Sequence, residues 1–325
     1  MSDIRVSIIC TVYNHEKFLH KCLDGFVMQR TNFKFEALVN DDFSTDDSKR
    51  IIEEYKKMYP EIIRPVYQTE NQFSKGISIS NDILFPQTKG DYITVCEGDD
   101  YWSDPYKLQR QFDYMENNRD CSLCTHNTMV HDLSGKKRDK TINDWKTIHV
   151  MNEEDVFFGW NVHMSSYMFR KEYYNHQKEL PMVWCGDYAR LLYAFSKGKV
   201  VCLPEIMSVY NINNSDGITW KVQDPKLKAK RAQERIDFLM KYDDFTEKKY
   251  EKIVKQRIDI ASFDIALADF ELYMSENKTN SQYRKIAKKI RSSNIYYRWS
   301  VLASPKARVK LWLIFHSYLF FKYFY

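Results

Sequence analysis

The stretch GDYITVCEGDDYWSDP, residues 90–105, joins an apolar run to an acidic turn. Residues 92–96 (YITVC) are short, apolar and rich in strand-forming types, whereas Glu97, Asp99 and Asp100 crowd three carboxylates into four positions around Gly98. Such a cluster is stable as a solvated turn or as a cage for a cation. The flanking sequence decides which.

Upstream, strand and helix signals alternate. VSIICTV (6–12) reads as a strand, 16–29 as a helix, FEALVN (35–40) as a strand, 46–58 as a helix stopped before Pro60, IIRPVYQ (62–68) as a strand and 77–88 as mostly helix. Short connections between such units imply a mostly parallel, doubly wound sheet, in which ligands bind beyond the carboxyl ends of the strands. Three strands end in polar clusters: TVYNHE (11–16), NDDFSTDDS (40–48) and EGDDYW (97–102). A turn explains any one of them, since Asn, Asp and Ser form turns and caps. Three at one edge point to a binding site.

Downstream, 105–117 reads as a helix and SLCTHNTMVHDLSGKKRD (122–139) as a hairpin turning at Ser134 and Gly135. A mixed segment follows over 153–210, with a helix over 188–196 and strands near Val200 and Val209. Two charged helices cover 226–241 and 247–273.

A chain of 325 residues, 44% hydrophobic with mixed charge, builds a full core and is not disordered. Seven cysteines without framework spacing fit a reducing compartment, and Cys121 and Cys124, with no second pair, read as core thiols rather than a zinc site. The apolar run at the N-terminus is too short for a signal peptide, so a cytoplasmic location is expected.

The motifs VSIICTVYNHEKFLHKCLDGFVMQ, FEALVNDDFSTDDS and GDYITVCEGDDYWSDPYKLQRQ, in that order, resemble the inverting glycosyltransferases of family 2. The resemblance covers roughly residues 1–220. It implies the GT-A fold, a Rossmann-like α/β architecture with a mostly parallel doubly wound sheet, here with a C-terminal α-helical appendage over 221–325. By position, it implies that Thr11, Tyr13 and Asn14 line a nucleotide pocket, with Asp41 reading the uracil edge and Asp42 as the adjacent candidate. Glu97, Gly98 and Asp99 stand at the D-x-D position, with Asp99 as ligand of Mn²⁺ or Mg²⁺ and Asp100 as a donor-sugar contact or second ligand. Asp187, in VWCGDYARLL, stands where the family's catalytic base opens a helix; taken alone, it reads as an acid favoured by the helix dipole. On the acceptor side, Trp160 is a candidate sugar-stacking residue and His163 a neighbour on the same loop, with core packing the competing reading for both.

The chain departs from the family at two places. Asn40 and Phe43 interrupt the V-D-D-G-S-T-D pattern, putting an aromatic where a glycine turns. Tyr210, Asn211, Ile212 and Asn213 replace a Tyr-Arg-x-His sequence, removing a basic group and an imidazole. The Q-x-x-R-W sequence of polymer-extending members is absent, which favours transfer of a single sugar.

Charge divides unevenly. Residues 1–220 hold 26 Lys and Arg against 32 Asp and Glu, whereas 221–325 hold 23 against 12, with no acid after Glu276. The ending VKLWLIFHSYLFFKYFY (309–325) has about eleven mostly apolar residues, short of the ~20 that cross a bilayer. Basic and aromatic together, it reads as a helix lying in an anionic headgroup layer on the inner face of the membrane; the competing reading is a helix docked on the catalytic domain or buried in a homo-oligomer interface. No nucleic-acid recognition motif accompanies it. The expected partners are therefore a UDP-sugar, a saccharide acceptor that is lipid-linked, and the membrane. A nucleotidyltransferase, or a catalytically degenerate membrane-bound partner of another transferase, are the competing functions.

Overall fold

β1 (Ile4–Val12) buries residues 6–10 completely, as expected of a central strand shielded on both faces. In the computed structural model, which describes residues 4–175, 179–180, 183, 185–213 and 224–275, β1 leads into α1 (Glu16–Val27) and β2 (Lys34–Asp41). α2 (Ser48–Met58), β3 (Ile63–Tyr67) and β4 (Tyr92–Val95) follow. Leu19, Cys22, Leu23 and Phe26 recur on one face of α1 and are fully buried in the core beside the sheet. The helix expected over 77–88 is instead a π-helical turn, Ile79–Leu84, and a 3-10 turn, Phe85–Gln87. Pro86 explains the break, because it has no N–H for an α-helical bond.

Beyond β4 come β5 (Tyr101–Trp102), α3 (Lys107–Asn117), β6 (Cys121–Asp132), β7 (Lys140–Thr141) and β8 (His149–Val150). α4 (Glu153–Phe157), β9 (Met168–Arg170), α5 (Gly186–Lys197) and β10 (Lys199–Ile212) complete this part of the chain. The strands form one sheet in the order β3-β2-β1-β4-β9-β6-β10-β5, with β7 beside β6 and β8 beside β10. β3, β2, β1, β4, β6 and β10 run one way, and the short β5, β7, β8 and β9 oppose them. The sheet is thus mixed α/β with a parallel majority. The two strands expected near Val200 and Val209 are one strand, β10, whose register shifts between Leu203 and Ile206 accommodate Pro204.

The hairpin expected over 122–139 forms between β6 and β7, with Gly135 at φ +67 in its turn. All seven cysteines are free, and Cys121 and Cys124 are buried core thiols.

The chain divides into two compact units at residues 217 and 218. In the second, α6 (Pro225–Phe245) is capped by Asp224, which accepts the Lys226 N–H at 2.9 Å. α6 and α7 (Glu251–Ser275) pack together, with Tyr242 of α6 stacked on Phe238 and on Tyr250. The basic and aromatic ending, 309–325, lies outside the described residues.

Candidate active site

Parallel pairing brings the three polar clusters to one edge. Val12 pairs with Asp41, the Asp42 N–H donates to Val12 O at 2.9 Å, and the Gly98 N–H donates to Thr11 O at 3.0 Å. Thr11, Tyr13, Asn14, Asp41, Asp42 and 97–100 therefore converge, although they are spread over ninety positions of sequence.

Asp41 is the informative group at the β2 end. It is 2% exposed, and its Oδ1 has no hydrogen-bond partner. Burial raises its pKa against two opposing hydrogen bonds from Ser44. A buried acceptor without a donor is costly unless a ligand supplies one. Asp42 has a different role: its two carboxylate oxygens accept the Gln72 and Phe73 N–H groups, at 2.8 and 3.1 Å, and so anchor the loop after β3. Asn14, at φ 57, is also bound internally, since its Oδ1 accepts the Thr45 N–H at 2.8 Å and its own N–H donates to Ser44 Oγ at 3.0 Å. Tyr13 and Phe43 are each about half exposed.

Phe43 keeps the left-handed geometry of the glycine it replaces, at φ 64. That conformation costs an L-residue roughly 1–2 kcal/mol, while glycine costs roughly 0.5–1 kcal/mol in unfolded-chain entropy. Phe43→Gly is therefore expected to leave stability unchanged or raise it by up to about 1.5 kcal/mol. If the ring serves a ligand, UDP affinity falls in the same variant. Calorimetric titration beside thermal unfolding checks both, and an unchanged affinity would show that the ring only covers the turn.

Residues 97–100 form a turn closed by the Asp100 N–H on Glu97 O at 3.1 Å. Gly98 is required there by close approach: a Cβ would lie 2.7 Å from His15 Nδ1 and 3.0 Å from Val12 Cγ2. The Cys22 and Cys96 thiols sit beneath the turn, 3.5 and 3.7 Å from Glu97 O. Asp100 is buried; its Oδ1 accepts the Asn211 N–H at 3.1 Å, and Asn211 Nδ2 donates to the main-chain oxygen of Asp99 at 2.6 Å.

The electrostatics of the turn are unfavourable without a cation. The Glu97 pKa rises to about 8, first through the enclosing protein and then through the charges of Asp99 and Asp187, with Arg190 opposing. The acid–acid repulsion is the part of that rise that a bound cation would reverse. Asp100 is also raised, by burial and then by Asp99. Asp187 lies in the first turn of α5, where its Oδ1 accepts the Tyr188 N–H at 2.8 Å. It belongs to the same electrostatic cluster, acting on both Glu97 and Tyr210.

Trp160 and His163 lie on the other flank of the acid turn. Trp160 is 53% exposed and meets Tyr210 edge-on at 5.6 Å, whereas His163 is buried and stacks on Tyr210 at 4.0 Å. Burial lowers the His163 pKa to about 3, so the ring is neutral, and its 3.8 Å approach to Asp100 Oδ2 is not an ion pair. His163 Nδ1 is instead 2.9 Å from Ser165 Oγ. His163 is thus packed against Tyr210 in the interior, whereas Trp160 is exposed.

Three residues of this neighbourhood have little sequence signal. Asn211 and Tyr210 reach the acid turn from the end of β10, more than a hundred positions away. Arg190, one helical turn after Asp187, points its guanidinium inward to Ser80 Oγ at 2.7 Å and Asn81 Oδ1 at 3.0 Å, tying α5 to the π-helical turn. The i, i+3 spacing from Asp187 was the available clue to Arg190. Among the described residues, no three His, Cys, Asp or Glu side chains form a preformed metal-ligand set.

The family model described as "Glycosyl transferase family 2" matches residues 7–176, a span that runs from within β1 past β9 and includes the acid turn. This chain belongs to glycosyl transferase family 2. The family 2 chain is 31% identical over 210 residues to an uncharacterized protein of Mycobacterium tuberculosis, covering 63% of its own length and 58% of that relative. It is 26% identical over 240 residues to the putative teichuronic acid biosynthesis glycosyltransferase TuaG of Bacillus subtilis, covering 72% of itself and 90% of TuaG. Among solved structures, it resembles residues 1–349 of S. aureus TarS in complex with UDP-GlcNAc, with a TM-score of 0.56, 16% identity and coverage of 82% of this chain and 81% of that one. That likeness establishes the GT-A fold.

Proposed function

We propose that this chain is an inverting glycosyltransferase that moves one sugar from a UDP-sugar to a saccharide acceptor during synthesis of a bacterial cell-wall or surface glycan. The observation that carries the reading is the buried, partnerless Asp41 Oδ1 at the same sheet edge as Glu97 and Asp99, with the Asp187 charge acting on Glu97. A uracil N3–H would supply the missing donor, and the diphosphate would then reach toward the acid turn. Family membership and the likeness to TuaG and to UDP-GlcNAc-bound TarS support the same reading.

The oxygen donors of the turn suit Mg²⁺ or Mn²⁺, which bind through one or two carboxylates together with substrate phosphates, so a preformed cage is not required. Asp99 would hold the ion, with Glu97 and Asp100 beside it. Once bound, such an ion neutralises charge on the departing diphosphate. Asp187 takes the proton of the acceptor hydroxyl as that oxygen attacks the anomeric carbon from the face opposite the diphosphate. Among the described residues its Oδ2 has no hydrogen-bond partner, which leaves it for that proton. Asn211 holds Asp100 and Asp99 in place, and Trp160 offers a face to the acceptor sugar. The basic and aromatic ending would attach the enzyme to the inner face of the membrane beside a lipid-linked acceptor.

Calorimetric titration with UDP, GDP and TDP, with and without Mn²⁺, tests this reading. Expected are UDP binding strengthened by Mn²⁺ in the wild type and loss of the metal effect in Asp99→Asn. A folded wild type that binds no nucleotide would favour the catalytically degenerate partner.

A further inference from the structure

We infer that the hairpin between β6 and β7 is a docking surface for an anionic acceptor glycan, a chain carrying carboxylate or phosphodiester groups. The inference rests on the transferase reading above and names the chemical class of its acceptor.

Lys136, Lys137 and Arg138 lie in the loop of this hairpin and Lys140 opens β7, and all four are exposed. Its own acids are occupied elsewhere. Asp132 accepts hydrogen bonds from the Ser134 N–H (3.0 Å), the Ser134 hydroxyl (2.7 Å), the Lys137 N–H (2.8 Å) and Asn213 Nδ2 (2.7 Å), which hold its carboxyl well below the usual range. Asp139 faces His131 Nδ1 at 2.9 Å. None of the four cations forms an ion pair with a carboxylate among the described residues. Four cations and one acid, Asp139, occupy positions 136–140, so the stretch is net basic, and an anionic ligand offsets the repulsion among the cations. They stand on a unit whose residues 1–220 carry more acids than bases, so the hairpin is a local basic feature on an acidic body.

The hairpin is fixed to the candidate site. Asn211 binds Asp100, and Asn213, two residues along the same strand end, binds Asp132 at the root of the hairpin. Two extended residues span ~7 Å. The Leu133 N–H also donates to Ile212 O at 3.1 Å. Asp41 lies four strands away in the order β2-β1-β4-β9-β6, ~19 Å at the usual strand spacing. The hairpin and the proposed base-binding end therefore flank the acid turn from opposite sides, and a chain resting on the hairpin is led to the turn.

A flexible glycan fits this surface better than a membrane does. The cations are confined to a narrow finger, and their field decays over ~8 Å at physiological salt. A flat anionic bilayer that met the finger would also meet the acidic body around it, whereas a single chain can follow the finger alone.

The test uses the full chain, fluorescently labelled polygalacturonate and poly(glycerol phosphate), uncharged dextran, and phosphatidylglycerol vesicles. The K136S/K137S/R138S/K140S variant is expected to bind both polyanions about three- to tenfold more weakly than wild type at physiological salt, with a shallower salt dependence, the basic 221–325 region contributing equally in both proteins. Its vesicle binding should be unchanged, and dextran should bind neither protein. The single reversal R138E, which touches no structural contact, should move in the same direction if the fourfold variant is poorly folded. Equal polyanion binding by wild type and both variants would overturn the inference, as would a loss seen on vesicles and not on glycans. UDP titration of the same samples tests the transferase reading separately, because a wild type that ignores UDP leaves the polyanion comparison intact.

Discussion

Asp187→Asn is expected to lower kcat by about 10²–10⁴-fold, the range for loss of a general base, with UDP affinity unchanged. The substitution keeps the size of the side chain and an oxygen that can accept the Tyr188 N–H, now at 2.8 Å, so the start of α5 should hold. It removes the charge that raises Glu97 and Tyr210, and it removes the acceptor for the hydroxyl proton. Release of UDP from a UDP-sugar in the presence of acceptor-bearing membranes measures the rate, and calorimetry measures binding. A variant retaining a tenth or more of wild-type kcat would return Asp187 to the role of a helix N-terminal acid.

Lys107→Met is expected to stabilise the protein by a few kcal/mol at pH 6 and to flatten its stability between pH 7 and 9. Lys107 is fully buried, its Nζ lies 3.9 Å over the Trp102 ring and donates to Thr94 Oγ1 at 2.8 Å, and Thr94 in turn donates to Tyr167 O at 2.7 Å. One hydrogen bond and one aromatic face do not replace the hydration of an ammonium group. Burial lowers its pKa from 10.5 to about 7, against the raising influence of Cys96 and Cys124. In the unfolded chain the group stays protonated up to its ordinary pKa, while the folded protein releases the proton near pH 7. Between those values the unfolded state binds more protons, so the Lys107 contribution makes stability rise with pH. Below pH 7 both states are protonated and the full desolvation penalty, about 3–5 kcal/mol, applies. The Lys107 charge also acts on His126, Cys96 and Cys124, but burial lowers the first and raises the two thiols, away from the pH 6–9 window, so within it the difference between wild type and variant reports on Lys107. Urea unfolding at pH 6, 7.5 and 9 makes the comparison, and parallel pH profiles would show that Lys107 stays charged in the folded state.

The acid turn shows how the burial of a strand makes part of a fold legible. β1, β2 and β4 are apolar because both faces of a central strand are covered, and α1 and α2 carry apolar residues at the helical period because one face is covered. Those patterns are local, so the parallel α/β organisation, the edge that gathers Asp41, Glu97 and Asp99, and the hairpin after β6 could all be read from residue order. The resemblance to family 2 supplied the roles proposed for Asp41, Asp99 and Asp187, which no spacing rule suggests.

Contacts across the sheet could not be read that way. Asn211 meets the Asp99 oxygen 112 positions away only because β10 is continuous through its irregularity at Pro204 and holds register with β6. The same register puts Tyr210 on His163, which keeps that imidazole buried and neutral, and links Asn213 to the root of the basic hairpin. Asp42, indistinguishable from Asp41 by type or position, is spent on two backbone N–H groups, whereas Asp41 keeps a buried oxygen without a partner. The amino-acid sequence by itself determined the elements and the edge where they end, because burial periodicity is a local property. Only the tertiary structure decided which polar groups at that edge are satisfied and which remain open to a ligand, because each hydrogen-bond partner comes from a different strand or loop.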